Sequence, residues 1–524
     1  MEKIKKLKKY FKTYKIDGYI VPKNDEFFSE YVPNNNDRLK FISSFSGSYG
    51  FALILKKKNY LFVDGRYSIQ ARNQSSDQYD IITMPKTLIK NIVKNKELKI
   101  GFDPKLHTSK SLSFMFAKTK CKLLPINKNL IDQIWSKNMK SQNKNFFILN
   151  KKITGQDYRR KIEKITKILK KKNMDFQLIS APENIAWILN IENIHNFIKE
   201  IKNKNIQIDA NSCSVLFENV LKKNNKVFNM IDPTYLLKAI KNKVEIKNTI
   251  KSHLDDGAAL TKFLFWIKNN YKKIKISEIS AQNKLLKFRQ KNKNFVSLSF
   301  PTISGSGPNG AIIHYNANKY TNRILKMGDI YLVDSGGQYN FGTTDVTRTI
   351  SLGNNNKRIR NIFTRVLKGH IAVANYKLNK NSNGAEIDIS ARKYLKQIKL
   401  DYEHGTGHGV GYYLNVHEGP QAISKNNKVK IKEGMILSNE PGYYEKNKFG
   451  IRIENLITVI KKNKILKFKN LTMAPIDKSM VNKDLLNKIE INWLNNYHSK
   501  VFKNLKKFMD NSELKMLKEN CSNI

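Results

Sequence analysis

The sequence predicts an α/β (α+β) chain of several domains that ends in helices. Three observations predict it. The chain has 524 residues, room for several units at roughly 100–200 residues each. Short β-rich runs bounded by turns alternate with helical stretches near its start: GYIVP, SYGFALIL, NYLFVDGRY and YDIITM. A long helical pattern with few breakers, KAIKNKVEIKNTIKSHLDDGAALTKFLFWIKNN, then precedes a stretch rich in glycine, histidine and paired acids.

Taken in order, MEKIKKLKKYFKTYKIDGYIVP reads as an amphipathic helix entering a strand. It is lysine-rich but has no apolar core and no small-residue cleavage site, so no signal peptide is expected. The strand-like runs follow, and LIDQIW, ending at Trp135, closes a first α/β unit assigned to residues 1–150. A lysine-rich amphipathic helix from Gln156 to about Lys172, then FQLIS and ENIAWILNI, builds a second unit over 151–242. The long helical pattern opens a third unit, 243–462. LLNKIEINWLNNYHSKVFKNLKKFM makes the remaining segment, 463–524, helical.

Hydrophobic residues make up 40% of the chain, enough for sizeable cores. No run of about 18 uninterrupted apolar residues occurs, so no membrane span is expected. The three cysteines, Cys121, Cys213 and Cys521, are odd in number and far apart. That argues against a disulfide framework and fits a reducing cytoplasm. The formal charge of +53 invites nucleic acid or an anionic membrane as partner. Yet lysine and asparagine recur along the whole chain rather than in one stripe. The expectation is a solvated Lys/Asn surface with weak, salt-sensitive affinity for polyanions and no specific nucleic-acid partner.

The chemistry concentrates in three places. In GDIYLVDSGGQYNFGTTDVTRTI, IYLVD is an apolar strand ending on Asp334, SGG a turn, and TTDVTRTI a β-branched return strand carrying Asp345. A hairpin of this kind brings the two carboxylates to one face. Either alone reads as a turn cap, but Asp334 ends a strand of buried type, and a buried carboxylate must be paired, protonated or metal-bound. In GMILSNEPGYYEKNKFGIRIEN, Glu440 precedes a Pro-Gly turn and Glu454 ends an alternating strand, so a second hairpin can oppose them. In DYEHGTGHGVGYYLNVHEGP, His404 and His408 have helical spacing, but Gly405, Gly407, Gly409 and Gly411 each cost a helix about 0.8–1 kcal/mol relative to Ala. Loop or strand is expected there, not a helical two-histidine zinc site. Four carboxylates and one imidazole suit Mn²⁺, Co²⁺ or Zn²⁺ in a two-metal site. One decoy is set aside. Gly305, Gly307 and Gly310 in GSGPNG match the dinucleotide fingerprint in form, but Pro308 interrupts it and AIIHY reads as a strand where a helix should open.

As a set, VDSGGQY with TTDVTRT, HGTGHGVG, LSNEPGYY and GIRIEN resemble the metallopeptidases of the pita-bread fold, and among them the long, three-domain Xaa-Pro aminopeptidase family. NDRLKFISSFSGSYGFALIL with LFVDGRY resembles that family's creatinase-like first domain. KAIKNKVEI resembles the entry to its catalytic domain, FPTISGSGPNGAIIHY the strand bringing a catalytic histidine, and LTMAPIDKSMV with LLNKIEINWLNNYHSKV its C-terminal extension. The resemblance implies two creatinase-like α/β domains, a pita-bread catalytic domain and a helical extension. It implies Asp334, Asp345, His408, Glu440 and Glu454 as ligands of two divalent ions, manganese first and zinc or cobalt as alternatives, with Glu440 also the general base. It implies that His314 and His417 orient the substrate or shuttle protons, that His404 is a site histidine and not a ligand, and that Arg452 lies behind the ligands. Read without the resemblance, His314 in AIIHY is better explained as a satisfied strand histidine.

The implied activity is removal of an N-terminal residue that precedes proline, in the cytoplasm, by a homodimer. An Xaa-Pro amide lacks the N–H that ordinary peptidases bind. One departure stands out. After AWILNI the long form continues with an Arg-Gly turn and several strands, whereas here ENIHNFIKEIKNKNIQIDANSC follows. The middle domain is expected to be shortened. Two rival readings are a dipeptide-cleaving prolidase, disfavoured by the C-terminal extension, and a degenerate homologue that binds nucleic acid or protein, disfavoured by the intact ligand positions.

Overall fold

The computed structural model describes residues 2–136, 149–189, 201–353 and 356–524. They gather into two compact units, Met1–Leu149 with Gln156–Tyr235, and Asn150–Gly155 with Leu236–Ile524.

The first unit holds a six-stranded sheet in the order Asp80–Met84, Asn59–Asp64, Phe51–Leu55, Gly18–Pro22, Lys99–Phe102, Lys122–Pro125. Its centre is antiparallel and its two sides parallel. The four strand-like runs of the sequence are the first four of these strands. Gly18–Pro22 is buried throughout, which is why it reads as a continuous apolar run and not as an alternation. The helix Glu2–Thr13 covers the sheet with Ile4, Leu7 and Phe11, the i, i+3, i+4 stripe of an amphipathic helix. A smaller parallel sheet follows, Phe176–Gln177, Asn205–Ile208 and Lys226–Asn229, after the expected amphipathic helix, here Tyr158–Lys171. ENIAWILNI is helical over Pro182–Leu189. Residues 190–200, where the expected shortening begins, lie outside the described residues.

The second unit opens with the 28-residue helix Lys243–Asn270, started by a capping box in which Asn242 and Glu245 satisfy each other's backbone N–H groups. Three sheets position the site. One is antiparallel, Ile303–Ser306, Ile330–Ser335, Val346–Ser351. The second has five strands in the order Glu418–Ile423, Gly407–Gly409, Ile436–Asn439, Asn455–Lys462, Ile465–Asn470. The third is the hairpin Gly442–Glu445 with Phe449–Arg452. Behind them one core cluster joins Phe363, Val366 and Leu367 of the helix Lys357–Ala374 to Leu494, Tyr497, Val501 and Leu505 of the helix Lys488–Leu505. Each such side chain contributes about 1.5–3 kcal/mol by leaving water. The C-terminal helices are therefore part of the second unit's core.

Two local expectations are corrected. The link between IYLVD and TTDVTRTI is more than a turn: Gly337–Tyr339 and Gly342–Thr343 leave the hairpin and pair with each other and with Phe295–Leu298. AIIHY is not a strand. The strand is Ile303–Ser306, and a 3-10 turn, Gly307–Ala311, with Pro308 in its first turn, leads to a turn at Ile313 and His314. The segment folds back because a buried carboxylate, Glu278, gathers it. Glu278 accepts from Ser306 N at 2.7 Å, Asn309 Nδ2 at 3.0 Å, Tyr315 Oη at 2.7 Å and Arg323 N at 2.9 Å. A five-residue 3-10 turn offers no helix N-terminus for a pyrophosphate, so the rejection of the dinucleotide fingerprint stands.

Candidate metal centre

Both acid pairs are built by strand register. In the first, Asp334 pairs across the ladder with Thr347, and Asp345 leads into the same return strand two residues earlier. Period-two alternation returns it to the Asp334 face. In the second, Asn439 pairs with Asn455 in one ladder and Gly442 with Arg452 in the next. The register runs through the gap, where Ile453 N donates to Pro441 O at 3.3 Å. Glu440 and Glu454 therefore oppose each other. Pro441 has no N–H to give, so the ladder opens there and both carboxylates sit at the opening.

His408 stands on the short strand Gly407–Gly409 beside these pairs. Only glycines fit around it: a Cβ on Gly407 would lie 2.0 Å from the Ser438 carbonyl oxygen, and one on Gly409 would lie 2.1 Å from that of Glu418. The glycine alternation is thus steric. His408 Nδ1 lies 2.9 Å from the Gly409 carbonyl. A carbonyl only accepts, so Nδ1 carries the proton and Nε2 turns its lone pair inward. There Nε2 is 3.4 Å from Asp345 Oδ2 and 3.5 Å from Glu440 Oε1. Ligating atoms of Asp345, His408 and Glu454 all fall within 4.8 Å of one another.

Asp334 and Glu454 are buried, 8% and 1% exposed. Asp334 Oδ2 accepts from Arg452 Nη2 at 2.7 Å. Glu454 Oε2 accepts from Thr347 Oγ1 at 2.8 Å. The second oxygen of each, Asp334 Oδ1 and Glu454 Oε1, is buried without a hydrogen-bond partner among the described residues. Burial, then the charges of Asp345, Glu440 and Asp334, hold the Glu454 carboxyl well above the usual carboxylate range, with Arg452 opposing. One arginine does not balance four carboxylates. Orphaned inward oxygens, an imidazole lone pair and excess negative charge are the donor set that divalent cations fit.

Arg452 also donates Nη1 to Tyr444 Oη at 2.6 Å, and Tyr444 Oη lies 2.8 Å from His404 Nε2. His404 Nδ1 faces the Gly405 carbonyl at 2.7 Å, so Nδ1 donates and Nε2 accepts the tyrosine proton. His404 is thereby occupied and turned to Tyr444. His417 is exposed, its ring centroid 4.2 Å from that of His408. His314 follows Ile313, whose carbonyl lies 3.5 Å from Arg452 Nη2.

Three contributors escaped the sequence reading: Tyr444, Thr347 and Ser438. Ser438 Oγ accepts from His408 N at 2.9 Å and donates to Glu440 Oε1 at 3.0 Å. Thr347 Oγ1 also accepts from Arg452 Nε at 3.1 Å. Tyr444 opposes Gly450 in the hairpin, two residues from Arg452 and on its face. The hairpin register was the signal that could have found it.

The chain is similar to known proteins along nearly its whole length. Residues 249–461 match metallopeptidase family M24, and 464–524 match the C-terminal region of peptidase M24. Residues 3–134 and 137–192 match creatinase/prolidase N-terminal domains. A probable Xaa-Pro aminopeptidase P of Laccaria bicolor is 34% identical over 99% of this chain and 93% of its own. Xaa-Pro aminopeptidase 1 of Dictyostelium discoideum is 35% identical over 95% and 92%. The crystal structure of X-prolyl aminopeptidase from Caenorhabditis elegans, described as a cytosolic enzyme with a di-nuclear active site, superposes with TM-score 0.89 at 30% identity, covering 100% of this chain and 99% of that one. The chain therefore belongs to metallopeptidase family M24, among the Xaa-Pro aminopeptidases.

Proposed function

We propose that the protein is a metal-dependent aminopeptidase that hydrolyses the N-terminal Xaa-Pro bond of peptides. The observation that carries this reading is the convergence of two hairpin acid pairs on the inward Nε2 of His408. Asp334, Asp345, His408, Glu440 and Glu454 would hold two divalent ions, with manganese favoured over zinc or cobalt by the oxygen-rich donor set. Bound there, the ions would supply Lewis acidity to the scissile carbonyl and the attacking water.

The chain's own residues do the rest. Glu440 takes the water's proton and gives it to the departing proline nitrogen. Ser438 holds its Oε1 by hydrogen bond. Arg452 holds Asp334 in place by hydrogen bond, and through Tyr444 fixes the orientation of His404. His314 and His417 orient the substrate or pass protons near neutral pH.

The same reading divides the chain at about 150, 242 and 462, with 151–242 a shortened middle domain; the family matches to 249–461 and 464–524 support the boundary near 462. The description of the nematode enzyme supports a cytosolic location. Among the described residues no helix is long and apolar enough to cross a membrane. A homodimer without a specific nucleic-acid partner completes the reading.

The test is hydrolysis of X-Pro-Y, X-Pro and X-Ala-Y by the purified chain loaded with Mn²⁺ or Zn²⁺. Release of X from X-Pro-Y alone, lost on chelation and in Glu440→Gln, is expected. Full activity in Glu440→Gln removes the assigned base, and no metal-dependent hydrolysis at all removes the reading.

A further inference from the structure

Arg348 is 1% exposed, and among the described residues every acceptor around it is neutral. Nε donates to Pro475 O at 3.0 Å. Nη1 donates to Thr347 O at 2.9 Å and Glu454 O at 2.6 Å. Nη2 donates to Asn455 Oδ1, Ala474 O and Tyr497 Oη, each at 2.8 Å. A buried cation with no carboxylate partner is expensive, and an apolar side chain of like volume serves packing better. Its place on the strand explains its retention. Thr347, its neighbour, faces the four carboxylates, while Arg348 points away and ties the Glu454 backbone to the C-terminal segment.

A second path runs from the same helix to the other glutamate. On the helix Lys488–Leu505, Trp493 stacks on Tyr497 with ring centroids 5.4 Å apart and planes 3° apart. Trp493 also meets His370 edge-on at 5.7 Å. His370 Nδ1 lies 3.1 Å from Asn439 O, and Asn439 Nδ2 donates back to His370 O at 2.9 Å. Asn439 precedes Glu440, Asn455 follows Glu454, and the two are register partners. One helix thus reaches both glutamate-bearing strands from behind, one turn apart, through Tyr497–Arg348 and Trp493–His370.

We propose that the helix Lys488–Leu505 is a working part of the metal centre, with Arg348 and Tyr497 as positioning residues that hold Glu454 against Glu440. This rests on the metal-centre reading above. Neither residue touches substrate. Their effect is on the ligand geometry and on the charge balance beside four carboxylates, and outer contacts of this kind change metal affinity about 10–100-fold.

The test titrates Mn²⁺ into the metal-free full-length protein by calorimetry, for wild type, Tyr497→Phe, Arg348→Lys and Lys503→Ala. Tyr497→Phe keeps the ring and its stacking, so it carries the test if Arg348→Lys does not fold. Arg348→Lys keeps the charge and loses the fork. Lys503 is exposed on the same helix. The expected result is at least tenfold weaker Mn²⁺ binding in the first two variants, KM for X-Pro-Y within about twofold, and wild-type behaviour in Lys503→Ala. Wild-type binding of two ions with unchanged affinity in Tyr497→Phe overturns the inference and leaves the metal centre intact, even if that variant melts earlier. A wild type that binds no Mn²⁺ overturns both.

Discussion

In the metal-free protein, Glu454→Gln is expected to raise stability at neutral pH. Glu454 is 1% exposed, its Oε1 unpartnered among the described residues and its Oε2 bonded to Thr347. Burial, then Asp345, Glu440 and Asp334, raise its carboxyl well above the ordinary value of 4.5. The folded protein therefore keeps this proton longer than the unfolded chain. The stability that the raised value supplies is complete below pH 4.5 and is lost as pH climbs to the folded value. Within that window the loss is about 1.4 kcal/mol per pH unit. A glutamine does not ionise. Its carbonyl still accepts from Thr347, and its amide points to carboxylates that can accept from it. Urea unfolding of chelator-stripped wild type and variant, from about pH 4 to 8, should show a gap that opens with pH in the variant's favour. Mn²⁺ should stabilise the wild type far more than the variant. A gap independent of pH, or a wild type more stable than the variant at neutral pH without metal, refutes the electrostatic reading.

Three further outcomes follow from the same geometry. Arg452→Met leaves Asp334 buried with its charge unpaired and Tyr444 without its donor, so guanidinium unfolding should show a loss of about 3–5 kcal/mol; a loss under about 1 kcal/mol contradicts the pair's assigned role. Gly407→Ala drives a Cβ to 2.0 Å from the Ser438 carbonyl, so thermal melting should fall and Mn²⁺ uptake weaken together; an unchanged melting curve would show that the strand has room. Mn²⁺ at a hundredfold over its dissociation constant should stabilise the wild type by about 2.7 kcal/mol, reversed by chelator, and no shift would mean that the carboxylates do not bind it.

Strand chemistry was legible where local pattern suffices. GYIVP, IYLVD and VTRTI are strands because their β-branched and apolar runs are buried on both faces, whatever lies far off in sequence. AIIHY has the same composition and is a turn, because Glu278, thirty-odd positions upstream, gathers four donors from the segment around it. Propensity does not see a carboxylate on another helix. The helix Pro182–Leu189 shows the same limit from the other side, since an apolar run this short fits helix or strand equally.

What the sequence by itself determined is the inventory: two acid pairs and a glycine-spaced histidine; the Pro-Gly turn it suggested after Glu440 is instead a gap between two ladders in register. The acid pairs and the histidine follow from residue type and spacing, since alternation and turn chemistry act over a few residues. Only the tertiary structure decided how they serve. It set which nitrogen of His408 faces the acids, put Thr347, Tyr444 and Ser438 between the charged groups, and ran a C-terminal helix through Arg348 to the back of Glu454. Those contacts join residues up to 149 positions apart. Hydrogen-bond direction and charge compensation depend on distance in space, which spacing in sequence does not encode.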